Sequence, residues 1–343
     1  MEVELTPMLT HVTDPSHAGE ARRHAAVYAE KAKLGEREQG ALGIVVTEIA
    51  TNLIKHAGSG MVMIESIQRN GDSGVRVIGL DKGPGIRDLT AALQDGYSSV
   101  GTQGNGLGAI KRLSHTFDIY TSPGLGTAVL AEFWPHERIA RKHVFPLEVG
   151  VLSIPMKGED VCGDGWGVKK SADSLLFMVV DGLGHGVFAA EGAREAERVF
   201  AQSRDDSLTT ILQDCHDALK KTRGAAMAVV SLRLERRLLS FAGIGNIGSS
   251  LVTPVASRGM PSHNGTVGHH VSKIQEFTFP WNADSILVMH SDGLKTTWNL
   301  DHYPGIWNKH PALIAGILYR DFTRDRDDVT VLVAKCPTEA SLP

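Results

Sequence analysis

Between residues 37 and 56 the apolar side chains Leu42, Val45, Val46, Ile49 and Leu53 recur at steps of three and four, which places one apolar stripe along a helix. The Ala-, Glu-, Arg- and Lys-rich run from Asp14 to Lys33 predicts a helix before it, with Asp14, Pro15 and Ser16 as its start. Gly58-Ser59-Gly60 ends the second helix. Met61 to Ile67 and Val75 to Leu80 then read as strands around the turn Asn70-Gly71-Asp72. A short helix from Leu107 to Leu113 follows a glycine-rich loop. Strands at Phe117–Thr121 and Thr127–Phe133 flank Pro123-Gly124-Leu125-Gly126.

The pattern changes near Trp134. Pro135 to His143 is polar and basic and Pro146 follows, so residues 135–146 are expected to link a domain at 1–134 to one at 147–343. Beyond the linker strands dominate: Leu147–Ile154, Gly165–Val168, Leu175–Val180, Ala226–Leu234, Leu238–Ile244, Ser249–Pro254, Asp284–His290 and Val329–Ala334. Helices are expected at Val187–Gln202, Leu208–Lys221 and Pro311–Tyr319. The two halves do not resemble each other, and there is no repeat.

The 343 residues suffice for two cores at the usual ~100–200 residues per domain. A formal net charge of −4 argues against a general nucleic-acid binder. Cys162, Cys215 and Cys336 are scattered, which supports neither a disulfide framework nor a structural zinc site. No apolar run approaches the ~20 residues that span a bilayer, and the acidic first residues lack the apolar core of a secretory signal. A cytoplasmic location with no membrane partner is therefore expected.

Two groups of residues carry candidate chemistry. Glu48 and Asn52 are one helical turn apart and face the same way. An Asn oxygen can ligate Mg2+, and a carboxylate one turn earlier can take a proton from an attacking hydroxyl. Asp81 ends a strand and opens the turn Gly83-Pro84-Gly85, where a carboxylate can accept a hydrogen bond from an exocyclic amine and glycines admit a flat ring. Gly104-Asn105-Gly106-Leu107-Gly108 opens a helix whose bare amides favour phosphate. In the second half, Asp164, Asp181, Asp292 and Asp327 recur at strand ends. Carboxylates gathered in one cleft repel unless cations lie among them. Two Mg2+ or Mn2+ ions would neutralise them and make a water acidic enough to attack phosphorus. Taken singly, each Asp-Gly pair reads equally as a hairpin turn.

On these residues, positions 10–134 resemble the GHKL ATPases, and specifically the anti-sigma-factor serine kinases of the RsbT and RsbW type. Positions 147–336 resemble the SpoIIE-type branch of the type 2C protein phosphatases, in its short RsbX-like form. The resemblance implies an α+β chain of two domains: a GHKL (Bergerat) α/β sandwich, then a type 2C phosphatase α/β/β/α sandwich. It implies that Glu48 is the catalytic base and Asn52 the Mg2+ ligand. Asp81, Gly83, Gly85 and Thr127 would surround the adenine of ATP, and Gly104, Gly106, Leu107 and Gly108 would clasp its phosphates. In the phosphatase half, Asp164, Asp181, Asp292, Asp327 and the carbonyl of Gly182 would hold metal, with Asp328 beside them. The phosphate-binding Arg of eukaryotic type 2C enzymes has no clear counterpart upstream of Glu159-Asp160. The implied partner is a STAS-domain antagonist in a sigma-factor or second-messenger pathway. Homodimers are common among such kinases.

Overall fold

The computed structural model describes residues 6–69, 71–94, 106–135, 146–171 and 173–337. In chain order the first elements are β1 (Met8–Val12), α1 (Ser16–Lys31), α2 (Glu36–Asn52), β2 (Gly60–Arg69), β3 (Asp72–Leu80), α3 (Leu89–Ala92), α4 (Gly106–Leu113), β4 (Thr116–Thr121) and β5 (Thr127–Phe133). Then come β6 (Glu148–Ile154), β7 (Asp164–Lys170), β8 (Leu175–Gly182), α5 (Val187–Gln202), α6 (Leu208–Ala218), β9 (Ala225–Arg233), β10 (Leu238–Ile244), β11 (Gly248–Thr253) and β12 (Ala256–Gly259). The last are β13 (Gly265–Thr266), β14 (His270–Val271), β15 (Phe277–Pro280), β16 (Ile286–His290), α7 (Pro311–Phe322) and β17 (Val329–Lys335). The expected linker falls almost wholly on residues 136–145, outside the described residues. Among the described residues no helix is long and apolar enough to cross a membrane.

The chain divides into two compact units. One is Met1–Val144 with Asn299–Arg320, and the other is Phe145–Trp298 with Asp321–Pro343. The first unit is built on an antiparallel sheet in the order β1-β2-β3-β5-β4. The stripe Leu42, Val45, Val46, Ile49 and Leu53 packs with Ala21, Ala25 and Tyr28 of α1, Ile110 of α4, and Val62, Ile64, Val75 and Val77 of the sheet. Strand alternation sends the intervening positions of β2, β3 and β5 to the opposite face.

Charges are buried on that opposite face. Arg76 donates to Glu132 from Nε (2.9 Å) and Nη2 (2.8 Å), and to Glu65 from Nη1 (2.9 Å). Glu132 also accepts from Arg69 at 3.2 Å. The two carboxylates respond differently. Burial would push both up, but the cations around Glu132 hold it down at about 2. Glu65 has one guanidinium bond, and burial keeps it above its ordinary value.

Residues 299–320 join this unit, although the sequence places them in a second domain that runs unbroken from 147 to 343. The reason is visible in α7, where every residue from Pro311 to Arg320 is buried. A helix apolar on all sides needs cover on all sides. Ile78 and Leu80 of β3 approach its Gly316, where a side chain would crowd them. Lys309 pairs with Asp118 at 3.2 Å, the His310 amide donates to the same carboxylate at 2.7 Å, and Tyr303 meets Tyr120 edge-on.

The second unit contains two antiparallel sheets, ordered β15-β10-β9-β8-β7 and β12-β11-β16-β17-β6. Strand β8 shows why they stack. Leu175, Phe177 and Val179 share a core with Leu287, Met289 and Leu332 of the other sheet. Leu176, Met178 and Val180 point the other way and pack under Ala193, Ala196 and Phe200 of α5 and Ile211 and Leu212 of α6. A strand covered on both faces reads as a continuous apolar run, as β8 does.

Replacing Arg76 by Met is expected to destabilise the protein by about 3–5 kcal/mol in urea unfolding at pH 7, because buried Glu65 loses its guanidinium and Glu132 its two shortest bonds. Glu132 titrates near 2 when folded, against an ordinary 4.5. Its contribution should therefore be complete above pH 4.5 and be lost as pH falls toward 2, a loss absent from Glu132→Gln.

Candidate functional sites

In the first unit the apolar stripe of α2 turns Glu48 and Asn52 away from the core, and both are half-buried. They converge on the start of α4. A side chain at Gly106 would lie 3.1 Å from Glu48 Oε2 and 3.5 Å from both Asn52 terminal atoms. Beyond Asn52 the helix widens into a π-helical turn, Leu53–Ala57, a feature that recurs at functional sites and that the sequence pattern did not announce. Asp81 follows β3 directly. Its Oδ1 accepts from the amides of Gly83 (2.8 Å) and Thr127 (3.1 Å). Among the described residues Oδ2 has no hydrogen bond and is left as an acceptor. Burial raises the Asp81 carboxyl above its ordinary value, against the pull of those two amides. Gly85 has φ +74°, and a side chain there would collide with the Ser122 carbonyl.

Thr127 opens β5 with its hydroxyl 3.1 Å from that of Thr121. Gly108 is buried, and Leu107 packs against the apolar core, so what Leu107 offers a phosphate is its amide and not its side chain. Gly104 lies outside the described residues. Sequence reasoning missed Arg320 of α7, whose Nη1 donates to the Asp81 carbonyl at 2.6 Å.

In the second unit three expected aspartates meet. Asp181, Asp292 and Asp327 line a cleft of about 230 Å³ with Leu183, Gly184, His185, Ala226, Asn246 and Arg326. Asp181 stands near the end of β8, opposite Asp164 in the β7–β8 register. Asp292 follows β16, where Ser291 is tied to Thr330 of β17 by hydrogen bonds of 2.9 and 3.0 Å. Gly182 is fixed by its amide to the Gly163 carbonyl at 3.1 Å. Asp164 adjoins this cluster, its carboxyl next to the Asp181 charge. It is buried and hydrogen-bonded to Ser291 and Thr330. Asp328 is likewise buried, held by the Met156 amide at 2.8 Å.

Two residues without a sequence signal join the cleft. Asn246 donates to Asp292 Oδ2 at 2.6 Å, and the exposed Arg326 lines the cleft with the acids. His185 Nδ1 meets Glu159 Oε1 at 2.7 Å.

The electrostatics favour cations. Burial and then Asp292, Asp327 and Asp328 push Asp181 up to about 7. Burial and then Asp181 push Asp164 well above its ordinary value. Asp164 Oδ2 and Asp328 Oδ2 are buried acceptors without a hydrogen-bond donor. Among the described residues no three carboxylate, His or Cys groups form a ready-made cage. The carboxylates that line the cleft are oxygen donors, the ligand type of Mg2+ and Mn2+, which also accept a backbone carbonyl and retain waters.

Residues 12–133 match the family model of the histidine kinase-like ATPase domain, and residues 171–337 match that of stage II sporulation protein E. The serine/threonine-protein kinase RsbT of Bacillus subtilis is 33% identical over 114 residues, covering 33% of this chain and 86% of RsbT. The phosphoserine phosphatase RsbX of the same organism is 26% identical over 145 residues, covering 42% of this chain and 73% of RsbX. A crystal structure of RsbX with magnesium superposes with TM-score 0.50 at 23% identity, over 55% of this chain and 95% of that one. A chain solved in work on the bacterial stressosome, described as a modular system adapted to control secondary messenger signaling, gives TM-score 0.52 at 28% identity, over 55% of this chain and 99% of that one.

An ion entering the cleft below pH 7 must displace the proton on Asp181. Mn2+ affinity measured by calorimetry should therefore fall about tenfold per pH unit below 7, with proton release visible in buffers of different ionisation heat.

Proposed function

The chain belongs to the GHKL family of histidine kinase-like ATPase domains, as a relative of the RsbT serine/threonine kinases, and joins to it a SpoIIE-type, type 2C phosphatase domain; from this we propose that it is a bifunctional regulator of a cytoplasmic partner-switching pathway. Its first half transfers the γ-phosphoryl group of ATP to Ser or Thr of a STAS-type antagonist. Its second half removes phosphate from Ser or Thr of the same or a related protein.

The convergence of Glu48 and Asn52 on Gly106 carries the kinase reading. Asn52 would hold Mg2+, and Glu48, one turn away, would receive the proton of the attacking hydroxyl. Asp81 Oδ2 would accept from the adenine amine, while Gly83 and Thr127 fix Oδ1. Phosphoryl transfer needs chiefly positioning and charge stabilisation, which these residues supply.

The phosphatase reading rests on the cleft that gathers Asp181, Asp292 and Asp327. Asp164, Asp181, Asp292, Asp327 and the Gly182 carbonyl would hold Mg2+ or Mn2+. When bound, these ions supply a water of lowered pKa and neutralise phosphate charge. Asn246 keeps Asp292 oriented, and Asp164, whose Oδ2 has no hydrogen-bond donor among the described residues, stands opposite Asp181.

One observation favours a second reading, in which the ATP-binding half gates the phosphatase without transferring phosphate. Arg320, close in sequence to Asp327, holds the backbone of Asp81.

Glu48→Ala separates the two. It is expected to leave ATP binding intact and to lower phosphorylation of a purified STAS-domain protein by at least a hundredfold, at the lower end of what general-base loss costs. Transfer at the wild-type rate would rule out Glu48 as the base. Asp181→Asn should reduce Mn2+-dependent hydrolysis of an aryl phosphate by a similar factor and leave nucleotide affinity unchanged.

A further inference from the structure

The first turn of α5 wears its side chains in the reverse of the usual order. Val187 is 67% exposed and Phe188 60%, while the small Ala189 and Ala190 face the core. Leu183, 43% exposed, precedes them and also lines the metal cleft. Large apolar groups normally take the buried positions of a helix and small or polar ones the surface. A contiguous apolar surface marks a place where something binds.

The ridge is held in place. The Leu183 amide donates to the Gly224 carbonyl at 3.0 Å, and His185 is tied to Glu159. The Arg223 guanidinium lies 4.7 Å from the centroid of the Phe188 ring, a cation–π contact that fixes the ring and adds positive charge at the rim. Arg326, which lines the cleft, adds another.

We propose that Leu183, Val187 and Phe188 form the docking ridge for the polypeptide that carries the phosphorylated Ser or Thr, and that the ridge selects apolar residues next to it. The proposal rests on the phosphatase reading of the cleft. Continuity identifies the occupant, since Leu183 belongs both to the wall that receives the phosphate and to the ridge. An extended chain advances ~3.3–3.6 Å per residue, so when a phosphoserine enters the cleft its neighbours in sequence come to the rim. Charge agrees, because a phosphorylated side chain carries close to two negative charges and the rim offers Arg223 and Arg326.

The test compares the full chain in Mn2+ on p-nitrophenyl phosphate and on two phosphoserine peptides, one flanked by Leu and Ile and one by Gly and Ser. The wild-type protein should favour the apolar-flanked peptide about tenfold in kcat/KM, chiefly through KM. V187S and F188S should each reduce that preference to twofold or less and leave aryl phosphate turnover unchanged, which also shows that they fold. A wild-type protein that hydrolyses both peptides equally would overturn the ridge as a reader of substrate. So would V187S and F188S that keep the preference, including the case where they only change the oligomeric state. No turnover of aryl phosphate by the wild-type protein would instead overturn the phosphatase reading itself, and the ridge with it.

Discussion

Repulsion among carboxylates is the constraint on which the second unit turns. Asp181, Asp292 and Asp327 share one cleft, with Asp164 and Asp328 buried close by. In a low-dielectric setting such a group either takes up protons or gathers cations. The upward displacement of Asp181 and Asp164 is the proton-bound form of that balance. The surrounding structure keeps the acids together in spite of it. Strand register sets Asp164 opposite Asp181, the Ser291–Thr330 bonds tie β16 to β17 beneath Asp292, and the two sheets clamp these strands through a shared apolar core. Stability of the packed sheets is what permits an unfavourable cluster at their edge.

The first unit handles charge in the opposite way. Arg76 satisfies Glu132 and Glu65 inside the sheet's second face, with no ligand needed. At Asp81 the arrangement is deliberately incomplete. One carboxylate oxygen accepts from two backbone amides, the other has no hydrogen bond among the described residues, and the carbonyl of the same residue is held by Arg320. A satisfied network rigidifies a fold, while an acceptor left unpaired in a half-buried corner is an invitation to a donor from outside.

The exposed ridge on α5 follows the same logic on the apolar side. Val187 and Phe188 leave apolar surface in water, while the buried sites beside them hold only Ala189 and Ala190. Their outward placement beside an acidic cleft joins a polar reaction centre to an apolar surface.

Much of this was legible in the residues. The three- and four-step stripe of α2 determined which face of that helix is buried, and so that Glu48 and Asn52 stand together off the core. The apolar runs ending in Asp-Gly determined that Asp181 and Asp292 emerge at strand ends. Local periodicity is enough for such statements because it depends only on 3.6- and 2-residue repeats. Other features came from partners distant in sequence. The pairing of Arg76 with Glu132, the bond from Asn246 to Asp292 and the hold of Arg320 on Asp81 leave no local trace. Nor does the burial of Asp164 opposite Asp181, since its turn looks like those of the other aspartates until the sheets stack. The placement of residues 299–320 with the first unit is the clearest case. The sequence by itself determined that α7 is apolar all round and must be buried. Which surface buries it was decided only by the tertiary structure, because hydrophobic burial is non-directional and the choice falls to the partners that Lys309, His310 and Arg320 find.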